Sequence, residues 1–218
     1  MKKVTVLMVV ALMLSGGSVY SQNAVGSMFG TLTTAKAMGQ GSGDFGFGIG
    51  LADDATSFIG SFAYGLSEYS DGRIKIGLSD SDWDGDTKIV FGVDYKWQFW
   101  SYGPETTHPF DFSVGAFLEY ADYSAISVLQ LGGQLLASYP IALNNGRSIT
   151  PYGRFNARME SLSWDLPIQV SGDDSESNLE VGFNAGVKWE MTSSVDLYGE
   201  FQLDGNDGLF LGIDFNVM

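Results

Sequence analysis

The stretch KIVFGVDYKWQF, residues 88–99, puts Ile89, Phe91, Val93, Tyr95, Trp97 and Phe99 at every odd position. Lys88, Asp94, Lys96 and Gln98 share the even positions with Val90 and Gly92. Side chains of a β-strand alternate between faces with period two, so one face is wholly apolar and the other carries two Lys and an Asp. The run exceeds the ordinary strand length of about 5–6 residues. It matches the roughly 9–11 tilted residues that cross a bilayer. The same pattern recurs along the chain, which predicts a barrel with lipid outside and polar side chains within.

Residues 1–21 read as a secretory signal peptide: Lys2 and Lys3 supply the positive end, Val4 to Leu14 the apolar region, and Val19 and Ser21 a small-residue cleavage site before Gln22. An uncleaved anchor is disfavoured, because that apolar region is far shorter than the ~20 residues a spanning helix needs. Residues 22–42, rich in Gly, Ser, Thr and Ala without a sustained period, read as a flexible N-terminal segment. Residues 43–218 form the barrel domain. The chain has no Cys, which excludes disulfides and thiol chemistry. Losing Lys2 and Lys3 moves the formal charge from −15 to −17, which argues against nucleic acid as a partner.

Ten alternating segments are expected near 43–52, 56–67, 72–79, 87–100, 110–121, 125–139, 147–162, 177–191, 194–204 and 207–217. Their parity is consistent. Outward positions such as Phe45, Phe47, Phe58, Ile74, Ile76, Leu118, Leu131, Phe155, Leu179, Phe201 and Leu211 carry no charge. Seven Lys and Arg residues of the strands fall on the other face: Arg73, Lys75, Lys88, Lys96, Arg154, Arg158 and Lys188. One such residue on the lipid face costs about 2–4 kcal/mol at mid-bilayer. Asp94, Asp111, Glu119, Glu160, Glu180, Glu190, Asp196, Glu200 and Asp214 share the inward face. This near balance predicts paired charges in a lumen, with inward glycines such as Gly48, Gly92 and Gly212 making room for long side chains.

A soluble lipocalin-like barrel with the faces exchanged has the same period. The membrane reading is favoured by long charges mixed with Gly on one face and by the unbroken oily face. Aromatic residues also gather near strand ends: Trp97, Phe99, Trp100, Tyr102, Phe110, Tyr139 and Trp189 towards one rim, and Phe58, Tyr120, Tyr123 and Trp164 towards the other.

An even strand count places both termini on one side, taken as the periplasm. The connections 53–55, 80–86, 122–124, 163–176 and 204–207 then face outward. They carry thirteen acids, among them Asp53, Asp54, Asp122, Asp165, Asp173, Asp174, Glu176, Asp204 and Asp207, and no Lys or Arg. With this pattern, residues 43–217 resemble the small bacterial outer-membrane β-barrels, the group of outer membrane protein A-like and X-like barrels. The resemblance implies an all-β, antiparallel, up-and-down transmembrane barrel at the Gram-negative cell surface. Ten strands are counted here; eight are common in the group, and an eight-stranded form with a longer hairpin is the alternative. It also implies insertion by the barrel assembly machinery, through a last strand that alternates outward at Leu209, Leu211, Ile213 and Phe215. The chain runs on past that strand through Asn216, Val217 and Met218.

The segment DSDWDGD, residues 80–86, puts Asp80, Asp82, Asp84 and Asp86 at the alternate positions that Ca²⁺ loops use. The twelfth position, which in an EF-hand is a Glu, is Phe91, so a full EF-hand is excluded. The readings left are a shorter Ca²⁺ loop and a solvated acidic hairpin. The acidic rim as a whole suits cations bridging to lipopolysaccharide phosphates, cation preference at a pore mouth, or plain solubility. His108, the only histidine, falls in a predicted periplasmic turn beside Pro109, without the partners that acid–base or nucleophilic catalysis needs. Glu180 and Glu190 are about 30 Å apart along one strand, too far for a glycosidase pair.

The sequence therefore predicts a non-enzymatic barrel whose polar lumen is filled by side chains, with a structural or binding role among outer-membrane lipids and lipopolysaccharide. The alternative is a narrow porin-like channel for small or cationic solutes, lined by the inward charges; adhesion through the external loops is a third reading. Oligomeric state is left open.

Overall fold

A computed structural model describes residues 25–53, 55–81, 86–104, 106–123, 126–164 and 175–217. The expected leader (1–21), Asp54, Asp82, Asp84, Asp165, Asp173 and Asp174 lie outside the described residues. The strands are β1 (Gly43–Ala52), β2 (Ala55–Ser67), β3 (Ser70–Ser81), β4 (Thr87–Trp100), β5 (Asp111–Asp122), β6 (Ile126–Ser138), β7 (Ile141–Ala142), β8 (Ser148–Trp164), β9 (Ser175–Glu190), β10 (Val195–Leu203) and β11 (Gly208–Asn216). All pairings are antiparallel. β6 pairs with β8 across the two-residue β7, and β1 pairs with β11, which closes the ring. Ten long strands form the wall, as the alternation predicts, and β7 only extends the hairpin between β6 and β8.

The two faces settle which medium surrounds the barrel. Ile74 and Leu179 are 63% and 70% exposed, whereas Lys96, Arg154 and Arg158 are each 1% exposed. A soluble barrel with that distribution would present a continuous hydrocarbon surface to water, so the lipocalin-like alternative fails. Register carries the pattern from strand to strand. Ile76 lies opposite Phe91 and Ile74 opposite Val93 on the outside, while Lys75 lies opposite Gly92 on the inside. The chain is a closed transmembrane β-barrel.

Two ends can be told apart. The connections β1–β2, β3–β4, β5–β6, β8–β9 and β10–β11 form the loop end; the others, with the C-terminal residues of β11, form the turn end. At the turn end Trp97 stacks obliquely on Phe99 at 4.5 Å, Trp100 meets Phe110 at 5.4 Å, and Tyr102 meets Tyr139 at 4.8 Å. This is the expected aromatic girdle. At the loop end Phe58 and Tyr120 are exposed, but Tyr123 is buried in the inner apolar cluster and does not belong to a girdle.

The main departure from expectation concerns residues 25–42 of the segment expected at 22–42, whose residues 22–24 lie outside the described residues. From Val25 onward this segment is a strap threaded through the lumen, not a flexible tail. Ser27 to Leu32 are all buried. The strap enters at the loop end, beside Glu160 and Asp204, and reaches the turn end at Met38, beside Asp71. There Gly39 and Gly41, with φ of 86° and 82°, reverse the chain into β1. Gly41 N–H donates to the Gly65 carbonyl and Gly65 N–H to the Ser42 carbonyl, each at 2.9 Å. An even number of strands therefore does not keep both described ends together: Val25 is at the loop end and Val217 at the turn end.

Candidate functional site

The lumen is the site the fold builds. Alternation sends long polar side chains inward from every side, and in that enclosed space each requires a partner. Some find it on the wall. Lys75 Nζ bridges Asp94 at 3.2 Å and Glu119 at 3.1 Å; Lys188 pairs with Asp196 at 2.8 Å; Arg158 lies 3.6 Å from Glu160 and 3.3 Å from Asp204. Asp111 accepts from Gln98 Nε2 and from Tyr102 N–H, tying down the chain after β4. Arg154 lies over the Phe117 ring, 4.5 Å from its centroid.

The remaining capacity is turned towards the main chain of the strap. Glu160 accepts from Val25 N–H at 2.9 Å, and Asp204 from Ser27 N–H at 2.9 Å. Glu119 accepts from Met28 N–H at 2.8 Å and also from the Ser27 hydroxyl. Glu200 takes two consecutive amides, Thr31 at 2.6 Å and Leu32 at 2.9 Å, while Tyr152 and Asn184 hold the same carboxylate from the wall. Lower down, Ala35 N–H donates to Ser138, Ala37 N–H to Gln98, and Met38 N–H to Asp71. Carbonyls are served in the same way. Arg73 donates to Thr31 and Leu32, Lys96 to Thr34 and Lys36, Gln130 to Gly26, and Gln202 to Ser27.

Glycines give this contact its shape. A Cβ on Gly92 would lie 2.9 Å from the Phe29 ring, and one on Gly77 would lie 3.2 Å from it. Cβ atoms on Gly48 and Gly212 would meet Leu32 at 3.1 and 3.2 Å. Phe29 and Leu32 thus seat in two notches left by absent side chains, and Lys75 Nζ lies 5.0 Å from the Phe29 ring centroid. On the strap, Gly30 has φ of 61°, and a Cβ there would sit 2.9 Å from both Glu200 and Phe210. A cleft of about 30 Å³, room for one water, is left at the loop-end mouth beside Val25, Met28 and Tyr123.

Ten of the strap's main-chain bonds involve an ionised wall group. At about 1.5–3 kcal/mol each they are worth about 15–30 kcal/mol. Ordering a strap of this length costs roughly 1–2 kcal/mol per residue, a sum of the same size. The two apolar anchors, at about 1.5–3 kcal/mol apiece, tip the balance towards occupancy.

The predicted lumen set is gathered here, with differences in detail. Arg73, Lys75, Lys96, Glu119, Arg154, Arg158, Glu160, Glu180 and Glu200 are buried in the lumen, Glu180 opposite Arg158 in register. Glu190 is half-buried near the turn end, opposite Asp196. Lys88 lies at the loop end, 3.6 Å from Asp86. Two residues assigned to connections belong to the site instead. Asp71 lies in β3 and pairs with Lys96 at 3.4 Å. Asp204, counted with the exposed rim, is 1% exposed. Burial pushes its carboxyl up to about 6 from the ordinary 3.8, with Arg158 and the Ser27 amide opposing the rise. Gln98 is placed on the inward face by its alternation but not singled out as a site residue, and Gln130 and Gln202 are missed; their inward parity is readable, but a search for charge passes over neutral amides.

Of the acidic hairpin, Asp80 and Asp86 are exposed at the strand ends. No group of three His, Cys, Asp or Glu side chains is placed for a metal among the described residues. His108 stacks on Trp100 at 5.8 Å at the turn end.

No family model matches the chain, and no curated protein matches it significantly. Among solved structures, the β domain of the Bordetella autotransporter BrkA is 12% identical, with 82% of this chain and 100% of that one covered and a TM-score of 0.46. A KdgM porin is 6% identical (80% and 99% covered, TM-score 0.42). The N-terminal barrel domain of Pseudomonas aeruginosa OprF is 12% identical (83% and 100% covered, TM-score 0.36). All are β-barrels, and what this chain does has to be read from its own residues.

Proposed function

We propose that this protein is a resting-closed outer-membrane barrel without enzymatic activity, with a structural or binding role at the cell surface. The observation that carries this reading is the strap, held along the lumen by Glu119, Glu200, Arg73 and Lys96 through its main chain. A solute path would have to pass through space that the strap and its partners occupy. The exposed hydrocarbon band fits outer-membrane lipid. The outward residues of β11 fit delivery by the barrel assembly machinery, and the acidic loop rim fits cation-bridged contact with lipopolysaccharide phosphates.

A second reading, a narrow channel for small or cationic solutes, draws on one observation: with no Cys in the chain, the strap is held by non-covalent contacts alone. Single-channel recording of the refolded mature chain in a planar bilayer separates the two. The closed reading expects a silent, heat-resistant barrel. Stable cation-preferring steps from the unmodified chain would overturn it in favour of the channel.

A further inference from the structure

We propose that the lumen is a binding site for a bent polypeptide segment, and that residues 25–38 are its resident ligand, exchangeable for a peptide supplied from outside. The inference rests on the closed-barrel reading and goes one step further: it assigns the lumen a ligand class.

Three features of the contact point this way. First, the wall addresses the main chain. Carboxylates of Glu160, Asp204, Glu119, Glu200 and Asp71 each take strap amides, and Arg73 and Lys96 each take two strap carbonyls. Those groups are common to every peptide, so wall side chains bonded to the main chain supply affinity and pockets supply specificity, the division of labour general to peptide recognition. Second, selectivity comes from the two notches. An aromatic residue fits over Gly77 and Gly92, an aliphatic one three positions on fits against Gly48 and Gly212, and the intervening Gly30 is required by its φ and by the nearness of Glu200 and Phe210. The ligand read by this site is a peptide with an aromatic–Gly–x–aliphatic core that turns through left-handed φ at the Gly and at the aliphatic residue, Gly30 and Leu32 in the strap. Third, the link between ligand and barrel is slight. Gln40 and Gly41 are exposed at the turn end, and the reversal depends on two glycines rather than on packed side chains. A separate chain could follow the same path without that connection.

The test severs the link after folding, so that the whole chain assembles first. A protease site is inserted between Gln40 and Gly41, the protein is refolded and cut, and a fluorescent synthetic peptide of residues 25–38 is added. The expected result is saturable replacement of the severed strap. A peptide carrying Phe29→Ala and Leu32→Ala should bind at least 100-fold more weakly. Equal binding of the two peptides, or a strap that never exchanges, overturns the proposal. Should the insertion block refolding, hydrogen exchange of the unmodified chain decides. Strap amides that open faster than the strand amides support exchangeability, and opening only together with the strands overturns it. An uncut chain that conducts ions defeats the closed-barrel reading; a silent uncut chain whose strap fails to exchange defeats this inference alone.

Discussion

The wall of the barrel and the strap inside it are made from the same chain by different rules. A wall residue such as Ile76 or Lys75 has its environment decided by parity, and its neighbour in sequence faces the opposite medium. A strap residue such as Thr31 has no such rule: its amide is bonded to Glu200 and its carbonyl to Arg73, both far away in sequence. The wall carries its own instructions, whereas the strap is instructed by the wall. Damage to the wall should therefore change whether the barrel forms, and damage at the strap should change only what fills it.

The largest effect is expected where both regions meet. Replacing Glu200 with Leu strands the Thr31 and Leu32 amides and the Tyr152 hydroxyl together, and takes from the Asn184 amide one of its two acceptors. At roughly 1–3 kcal/mol for each buried donor left alone, unfolding in urea from lipid vesicles should show a loss of several kcal/mol. Retention of wild-type stability would mean that the strap does not depend on this carboxylate.

A pure wall lesion comes next. Ile76→Arg puts a guanidinium on the lipid face and should cost about 2–4 kcal/mol in the same assay, leaving strap protection unchanged in the molecules that fold. Phe29→Ala is the converse, a pure strap lesion. It empties the notch over Gly77 and Gly92, and burial lost on that scale costs about 3 kcal/mol. Its signature should be faster hydrogen exchange and proteolysis within residues 25–38 while the strands keep their heat resistance. If the strands loosened equally, strap and wall would be one cooperative unit.

Smaller effects belong to the loop end. The folded Asp204 carboxyl, raised to about 6 by burial, binds its proton more tightly than the unfolded chain does. Between about pH 6 and pH 4 the native state therefore holds more protons, and this group's contribution to stability is present at the acid end and lost as pH rises through 6. Comparing the melting temperature of the wild type with that of Asp204→Asn across this range should show the wild type gaining relative to the variant on acidification; a constant difference would refute the assignment. Smallest of all is Ca²⁺ at the 80–86 hairpin. A rise in melting temperature with millimolar Ca²⁺, abolished by Asp80→Asn with Asp86→Asn, is the expected outcome if the alternating Asp residues form a site.

Much of the wall was legible beforehand because period two is a local rule that lipid enforces strictly. Strand ends agree within about two residues, and every predicted inward Lys and Arg points inward. The lumen was legible as a set of charges but not as a set of contacts. Asp71 and Asp204 read as connection residues because they border turns, and only the closed ring shows that they face the interior. Glycines such as Gly48, Gly92 and Gly212 read as space for neighbouring wall side chains; part of that space belongs to Leu32 and Phe29.

What the sequence determined by itself is the barrel wall: its long alternating strands, which face meets lipid, and where the charges go, since each follows from neighbours one or two positions away; the closed ring settled ten strands over eight. What only the tertiary structure decided is the fate of residues 25–42. Their composition of small and polar residues carries no period, so it reads as a loose tail in isolation. The strap becomes ordered because a closed ring of ten strands leaves an enclosed space whose carboxylates, guanidinium and amines need partners, and the nearest main chain supplies them.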